Sequence, residues 1–181
     1  MVRPGARARE YEDAILWLEQ AGLVNKVLLS KAPKLPLKAY DDLGTFKLYT
    51  LDLGVLRKLS ELDASILLLP TPAYTEYKGA LAENYILQSL TAQFQMPFRY
   101  WTSGNKAEVD FLLQYINQIY PIEVKADQNI QGKSLIQYEK LFQPACRIRY
   151  SMLNLKQDGN LLNIPLFLAD KTRELLGVIN V

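Results

Sequence analysis

The sequence predicts an α+β or α/β protein in which a mixed sheet is flanked by helices. Apolar residues recur at helical spacing in several segments, and shorter segments alternate between apolar and polar residues as strands do. Helical segments both precede and follow the alternating ones, an order typical of helices layered on a sheet. The longest segments with helical spacing predict three helices, at residues 10–21, 75–92 and 134–141.

The first part of the chain predicts a helix, a strand, a loop, a second strand and a short helix. This order is that of the second half of a winged-helix module, and a small α+β cap is the alternative. The segment with Pro70 and Pro72, residues 66–74, is predicted to be a linker. We therefore expect a partial winged-helix-like region at residues 1–70 and a second domain at residues 71–181.

The second domain should contain a meander of neighbouring strands followed by a helix and further strands. Its last segment is predicted to be a short helix. In chain order, the predicted strands of both domains cover residues 23–29, 46–51, 98–101, 108–114, 120–126, 147–153 and 164–168, and the short helices 53–62 and 171–176.

Composition excludes several kinds of site. The 181 residues are 49% hydrophobic and 22% charged, as in a globular protein, and the net charge of +2 does not by itself indicate nucleic-acid binding. The chain has no histidine, which excludes Ser-His-Asp and Cys-His catalysis. With one cysteine, a zinc site of the usual kind is excluded as well. Any metal must be held by oxygen, which favours Mg²⁺, Mn²⁺ or Ca²⁺.

The sequence favours a cytoplasmic protein without a membrane segment. No apolar run approaches the roughly 20 residues that a spanning helix needs. Residues 1–7 lack the apolar core of a signal peptide. The single cysteine, Cys146, fits a reducing compartment and is predicted to be a small buried residue.

Four residues form the candidate site. Glu123 and Lys125 lie two residues apart on a predicted strand and therefore point to the same side. Asp110 alternates with Val109 and Phe111 on the strand before it, so pairing of the two strands would bring it next to Glu123.

Glu83 falls on the apolar face predicted for the helix at 75–92, with Ala80, Leu87 and Leu90. An unpaired carboxylate there would be costly, so we expect it to be paired, protonated or bound to a metal. Together, the acids and the lysine suit metal-assisted phosphodiester hydrolysis.

The order of Glu83, Asp110 and Glu123-Val124-Lys125 resembles the PD-(D/E)XK nuclease superfamily, which has the restriction-endonuclease-like fold. More closely, the chain resembles the C-terminal domain of unknown function in a family of prokaryotic AAA-type ATPases, from about residue 10 to its end. The segments that carry the resemblance are Gly79–Asn84, Ala107–Phe111, Ile122–Lys125, Phe46–Gly54 and Trp17–Leu23.

The resemblance implies the C-terminal part of such an ATPase, carrying a metal-dependent DNA nuclease site. Glu83, Asp110, Glu123 and Lys125 would be catalytic, and the three acids would bind Mg²⁺ or Mn²⁺. The implied partners are DNA and an ATPase domain that this sequence lacks, and an oligomer is compatible with it. No ATP site is expected, because Asp127 stands where a phosphate-binding loop ending in Gly132-Lys133-Ser134 needs glycine.

Other interpretations stay open. The domain could be a catalytically inactive module that binds DNA or protein, or regulates the ATPase, and a remnant without activity is a third possibility. Val109 stands where the superfamily has proline, which leaves activity open. Glu123 and Lys125 could instead form a salt bridge on an exposed strand face.

Two further groups of residues have both a binding and a structural interpretation. Tyr100 and Trp101 could stack on bases, although core packing is the favoured use. Five basic residues could line a phosphate groove or be scattered solvated charges: Arg99, Lys106, Lys133, Arg147 and Arg149.

Overall fold

Helices flank a mixed sheet in the computed structural model, which describes residues 11–61, 72–104, 107–126 and 132–179. The α-helices of these ranges are α1 (Glu12–Gln20), α2 (Leu53–Leu59), α3 (Pro72–Phe94), α4 (Lys133–Phe142) and α5 (Thr172–Ile179). The strands are β1 (Val24–Ser30), β2 (Asp41–Thr50), β3 (Arg99–Thr102), β4 (Glu108–Tyr115), β5 (Gln118–Val124), β6 (Arg147–Ser151), β7 (Lys156–Asp158) and β8 (Leu161–Pro165). Two 3₁₀ segments cover Leu37–Tyr40 and Leu166–Lys171.

All eight strands belong to one sheet, in the order β2-β1-β3-β4-β5-β6-β8-β7. The strands β3, β4 and β5 form an antiparallel meander, as predicted. The chain then crosses through α4, and β6 lies parallel to β5. On the other side, β1 lies parallel to β3 and antiparallel to β2. Strands on both sides of the predicted domain boundary are thus hydrogen-bonded neighbours, and the boundary itself stays a prediction.

The two faces of the sheet are covered by different helices. Because successive residues of a strand point to opposite faces, Phe111 and Leu112 of β4 enter different clusters. The larger cluster packs against α3, where Ile86 and Leu90 are fully buried. Burial of each such side chain contributes roughly 1.5–3 kcal/mol. The smaller cluster packs against α4 through Leu135 and its neighbours.

A β-bulge changes the expected alternation of β4. Arg99 pairs with Leu112 but Trp101 pairs with Val109, so one extra residue of β4 lies between the two pairs. Val109 and Leu112 therefore enter the same cluster, whereas Phe111 enters the other one. The prediction that Val109 and Phe111 share a face is wrong, because strict alternation ends at a bulge.

Several predicted boundaries also differ. Residues 72–74, predicted to belong to the linker, are helical, and the rest of that linker lies outside the described residues. The strand predicted at 164–168 occurs earlier, at Leu161–Pro165, and Leu166–Lys171 is a 3₁₀ segment. Strand β7 was not predicted, and β2 begins at Asp41, well before the expected residue 46. On α3, Ala80 is exposed, and the buried face runs through Ala82.

The aromatic and cysteine predictions agree with the structure. Tyr100 and Trp101 are buried, which confirms core packing, and Cys146 is buried too. Trp101 lies edge-on to Tyr138 of α4, with 5.3 Å between the ring centroids. Within the described ranges, no helix combines the length and apolar character needed to cross a membrane.

Candidate functional site

Asp110 lies where β4 and β5 separate. Their backbone pairing ends at Phe111 opposite Ile122. Beyond that pair, Oδ2 of Asp110 accepts a hydrogen bond of 2.7 Å from the amide of Val124. The side chain of Asp110 thus supplies the partner that a backbone N–H in a partly buried place requires. This bond holds the carboxylate of Asp110 at the point where the pairing of β4 and β5 ends.

Glu83 reaches the site from α3 and contacts β2. The hydroxyl of Tyr49 donates a hydrogen bond of 2.9 Å to Oε2 of Glu83. The next residue of α3, Asn84, is buried and accepts a bond of 2.9 Å from the amide of Thr50. Its Nδ2 donates to the Thr50 carbonyl at 3.3 Å. Consecutive residues of α3 therefore bind consecutive residues of β2, which fixes the helix against that strand.

The carboxylates of Asp110 and Glu83 interact electrostatically. Burial, followed by the charge of Glu83, raises the pKa of Asp110 from 3.8 to about 7. The Val124 amide and the ammonium groups of Lys47 and Lys125 oppose this rise. The negative charge of Glu83 therefore disfavours ionisation of Asp110.

Lys47 of β2 provides a positive charge beside this acid pair. It forms an ion pair with Glu108, and its Nζ lies 5.0 Å from the centroid of the Tyr100 ring. Burial lowers the pKa of Lys47, but the hydrogen bond to Glu108 and the charges of Glu83, Glu108 and Asp110 raise it overall. Lys47 is therefore a cation in this environment and offsets part of the negative charge.

Glu123 is almost completely buried, with 1% of its surface exposed. Its Oε1 lies 3.1 Å from Nζ of Lys125, which confirms that the two side chains point the same way. Its Oε2 has no hydrogen-bond partner among the described residues. A Cβ added to Gly132, just before α4, would lie 3.1 Å from that oxygen. The interpretation as an exposed salt bridge is wrong for Glu123, because the carboxylate is buried beneath the start of α4.

The four predicted residues thus form two linked pairs. Glu83 and Asp110 are coupled on the side of α3, and Glu123 binds Lys125. The charge of Lys125 also lowers the pKa of Asp110, so the pairs are neighbours. Among residues 11–61, 72–104, 107–126 and 132–179, no three Asp, Glu or Cys side chains are grouped to hold a metal ion. A three-carboxylate metal shell stays a prediction.

Two of the basic residues predicted for a groove have structural partners instead. Arg99 is buried and forms two hydrogen bonds of 2.8 Å to the carboxylate of Asp41. Arg147 is also buried and lies 3.0 Å from a carboxylate oxygen of Glu139. Both interpretations, the phosphate groove and the scattered solvated charges, are wrong for these two residues, because their guanidinium groups are buried and paired with carboxylates. Lys106 lies outside the described residues.

Sequence reasoning missed the part of the site contributed by β2. Lys47 and Tyr49 lie on a segment that was correctly predicted as a strand, and their spacing of two residues puts both on one face. That spacing was the available signal. Nothing in the sequence indicates that this face meets α3 and β4, because the contact joins residues more than 30 positions apart.

Two segments of the chain match families of unknown function. Residues 2–66 match a family described as Domain of unknown function (DUF8612). No curated protein and no solved structure matches the chain. The expectation of a domain of unknown function in the second part of the chain is confirmed, since residues 78–167 match the family described as Domain of unknown function (DUF4143).

Proposed function

We propose that this chain is the C-terminal part of an AAA-type ATPase-family protein and carries a metal-dependent phosphodiesterase site of the DNA nuclease type. The observation that carries the proposal is the placement of the Asp110 carboxylate beside Glu83, where burial and then the charge of Glu83 raise the pKa of Asp110 to about 7. Strongly perturbed carboxylates with a specific charged partner are typical of functional sites.

The pair suits a hard divalent cation. Mg²⁺ and Mn²⁺ bind carboxylate oxygens, and a bound cation would remove the repulsion between Glu83 and Asp110. The third ligand that we propose, Glu123, has its Oε2 buried without a hydrogen-bond partner among the described residues. The three carboxylates of these residues are not grouped in the cation-free protein, so Glu123 would have to approach the pair when the cation binds. When bound, such an ion polarises a phosphoryl oxygen and makes a bound water more acidic.

The protein's own groups would perform the remaining tasks. Lys125, held by Glu123, can neutralise negative charge that develops on a phosphate near Asp110. Lys47 adds a second positive charge next to the same acids. Glu83 lies on α3, the residues Lys47, Asp110 and Glu123 lie on three strands of one sheet, and Lys125 directly follows β5, so rigid elements set or adjoin every position.

The element order supports the finer fold assignment that we propose. From α3 to β6, the chain forms an α-helix, a three-stranded antiparallel meander, a second helix and a strand parallel to the last meander strand. This order fits a restriction-endonuclease-like core. The preceding helix and antiparallel strand pair, α1, β1 and β2, fit a winged-helix-like fragment.

One observation favours a second candidate, a catalytically inactive module that binds DNA or protein or regulates the ATPase. Lys125 is already paired with Glu123 at 3.1 Å, and an ion pair of this kind can serve structure alone. In that case, substitution of Asp110 would leave the function of the module unchanged.

Metal binding and DNA cleavage test the proposal directly. Mn²⁺ would be titrated calorimetrically into the parent and Asp110→Asn proteins, and both would then be incubated with supercoiled plasmid and Mn²⁺ or Mg²⁺. We expect binding and nicking by the parent and a loss of both in Asp110→Asn. Asn keeps an oxygen that can accept the bond from Val124, so the fold should survive.

Lys125→Ala separates catalysis from binding. We expect this variant to bind Mn²⁺ but to nick plasmid at least about 100-fold more slowly, the scale of losing one electrostatic stabiliser. Absence of Mn²⁺ binding by the parent would refute the metal-dependent site. DNA binding by the parent, unchanged in Asp110→Asn and without nicking, would establish the inactive module instead.

A further inference from the structure

The segment before the linker contributes residues to the candidate site. Tyr49 lies in β2, within the residues that match one family, whereas Glu83 lies in α3, within the residues that match the other. Lys47 of β2 likewise pairs with Glu108 of β4. The acid cluster is therefore built across the two matched segments.

Tyr49 is well placed to fix the orientation of Glu83. Its side chain is buried, with 8% of its surface exposed, and its ring packs against Phe111 with 5.4 Å between the centroids. A ring held in the core has little rotational freedom, so the hydroxyl is directed at Oε2 of Glu83 at 2.9 Å. The bonds between Asn84 and Thr50 hold the same helix turn at the same strand.

We propose that Tyr49 is a positioning residue that orients the Glu83 carboxylate for divalent-cation binding, so that β2 completes the metal site of the second segment. This inference rests on the proposed function, because it concerns the affinity of that site for its cation. Tyr49 acts through Glu83 and touches neither cation nor substrate.

The test is a pair of double-variant cycles with Tyr49→Phe and Glu83→Ala, since alanine removes the acceptor of the Tyr49 hydrogen bond. Phe keeps the ring that packs on Phe111 and removes only the hydroxyl. In the first cycle, calorimetry measures Mn²⁺ affinity. We expect Tyr49→Phe to weaken Mn²⁺ binding about 5- to 10-fold, the net scale of one ordinary hydrogen bond. In the Glu83→Ala background, the same change should have no effect on affinity.

The second cycle measures unfolding in urea without any metal. Coupling between Tyr49→Phe and Glu83→Ala is expected here too, since the hydrogen bond exists in the cation-free protein. Tyr138→Phe is the matched control, because Tyr138 is a buried tyrosine of α4 in the other cluster. It should leave Mn²⁺ affinity unchanged.

The outcomes separate this inference from the proposed function. If the parent binds Mn²⁺ and Tyr49→Phe binds it equally well, the positioning role is refuted while the metal site stands. The same holds if Tyr49→Phe weakens binding equally in both backgrounds. If the parent binds no Mn²⁺, both proposals fail, and any coupling in urea then shows a purely structural contact.

Discussion

Replacing Asp110 by Asn should change how the stability of the protein depends on pH. In the folded protein the pKa of Asp110 rises from 3.8 to about 7, first because of burial and then because of Glu83. Folding therefore favours the protonated acid, and ionised Asp110 opposes folding. The free-energy cost of ionising Asp110 in the folded protein is absent below about pH 4 and complete above about pH 7. At about 1.4 kcal/mol per pKa unit, it reaches about 4 kcal/mol as an upper value.

The assay is urea unfolding of the parent and Asp110→Asn at several pH values between 4 and 8. Relative to the parent, the Asn variant should gain roughly 2–4 kcal/mol in unfolding free energy as the pH rises across this range. Asp158→Asn is the matched control, since the Asp158 side chain is 79% exposed, and its difference from the parent should stay flat. A flat difference for Asp110→Asn as well would refute the reasoning, because it would mean that burial and Glu83 do not disfavour the ionised acid.

The remaining predictions concern bonds that hold the sheet and the helix around the site. Arg99→Ala should destabilise the fold by about 3–5 kcal/mol in urea unfolding, because it leaves the buried Asp41 carboxylate without its partner. Lys156→Ala, which removes an exposed ion pair, should change unfolding free energy by less than about 1 kcal/mol, and an equal effect of both would contradict the role of burial. Asn84→Ala should cost about 1–3 kcal/mol in the same assay, because the amide of Thr50 loses its acceptor, and amide hydrogen exchange at Thr50 should accelerate. An unchanged exchange rate there would show that the Asn84 contact is dispensable.

The sequence predicted those features that depend on short-range periodicity. The spacing of Glu123 and Lys125 placed both on one side of a strand, and their side chains meet at 3.1 Å. Core packing was the favoured use of Tyr100 and Trp101, and both side chains are buried. The meander of β3, β4 and β5 followed from short connections between neighbouring strands.

Periodicity failed where the backbone is irregular. The bulge in β4 moved Val109 to the face of Leu112, and no residue in that segment marks such an insertion. The two prolines in 66–74 predicted a linker, yet Pro72 begins α3, a position that proline tolerates because its missing N–H has no partner there anyway. A proline such as Pro72 is thus compatible with a linker or with the start of a helix, and the tertiary packing of the following residues determines which of the two forms.

By itself the sequence predicted the residues of the candidate site: acids and lysines in the absence of histidine, with Glu83, Asp110, Glu123 and Lys125 in the order that carries the resemblance. Only the tertiary structure decided how these groups affect one another. It brought Lys47 and Tyr49 from β2 to the acids, raised the pKa of Asp110 and buried Glu123 beneath the start of α4. The physical reason is that burial and Coulomb interactions depend on distances in space, which local sequence patterns do not specify.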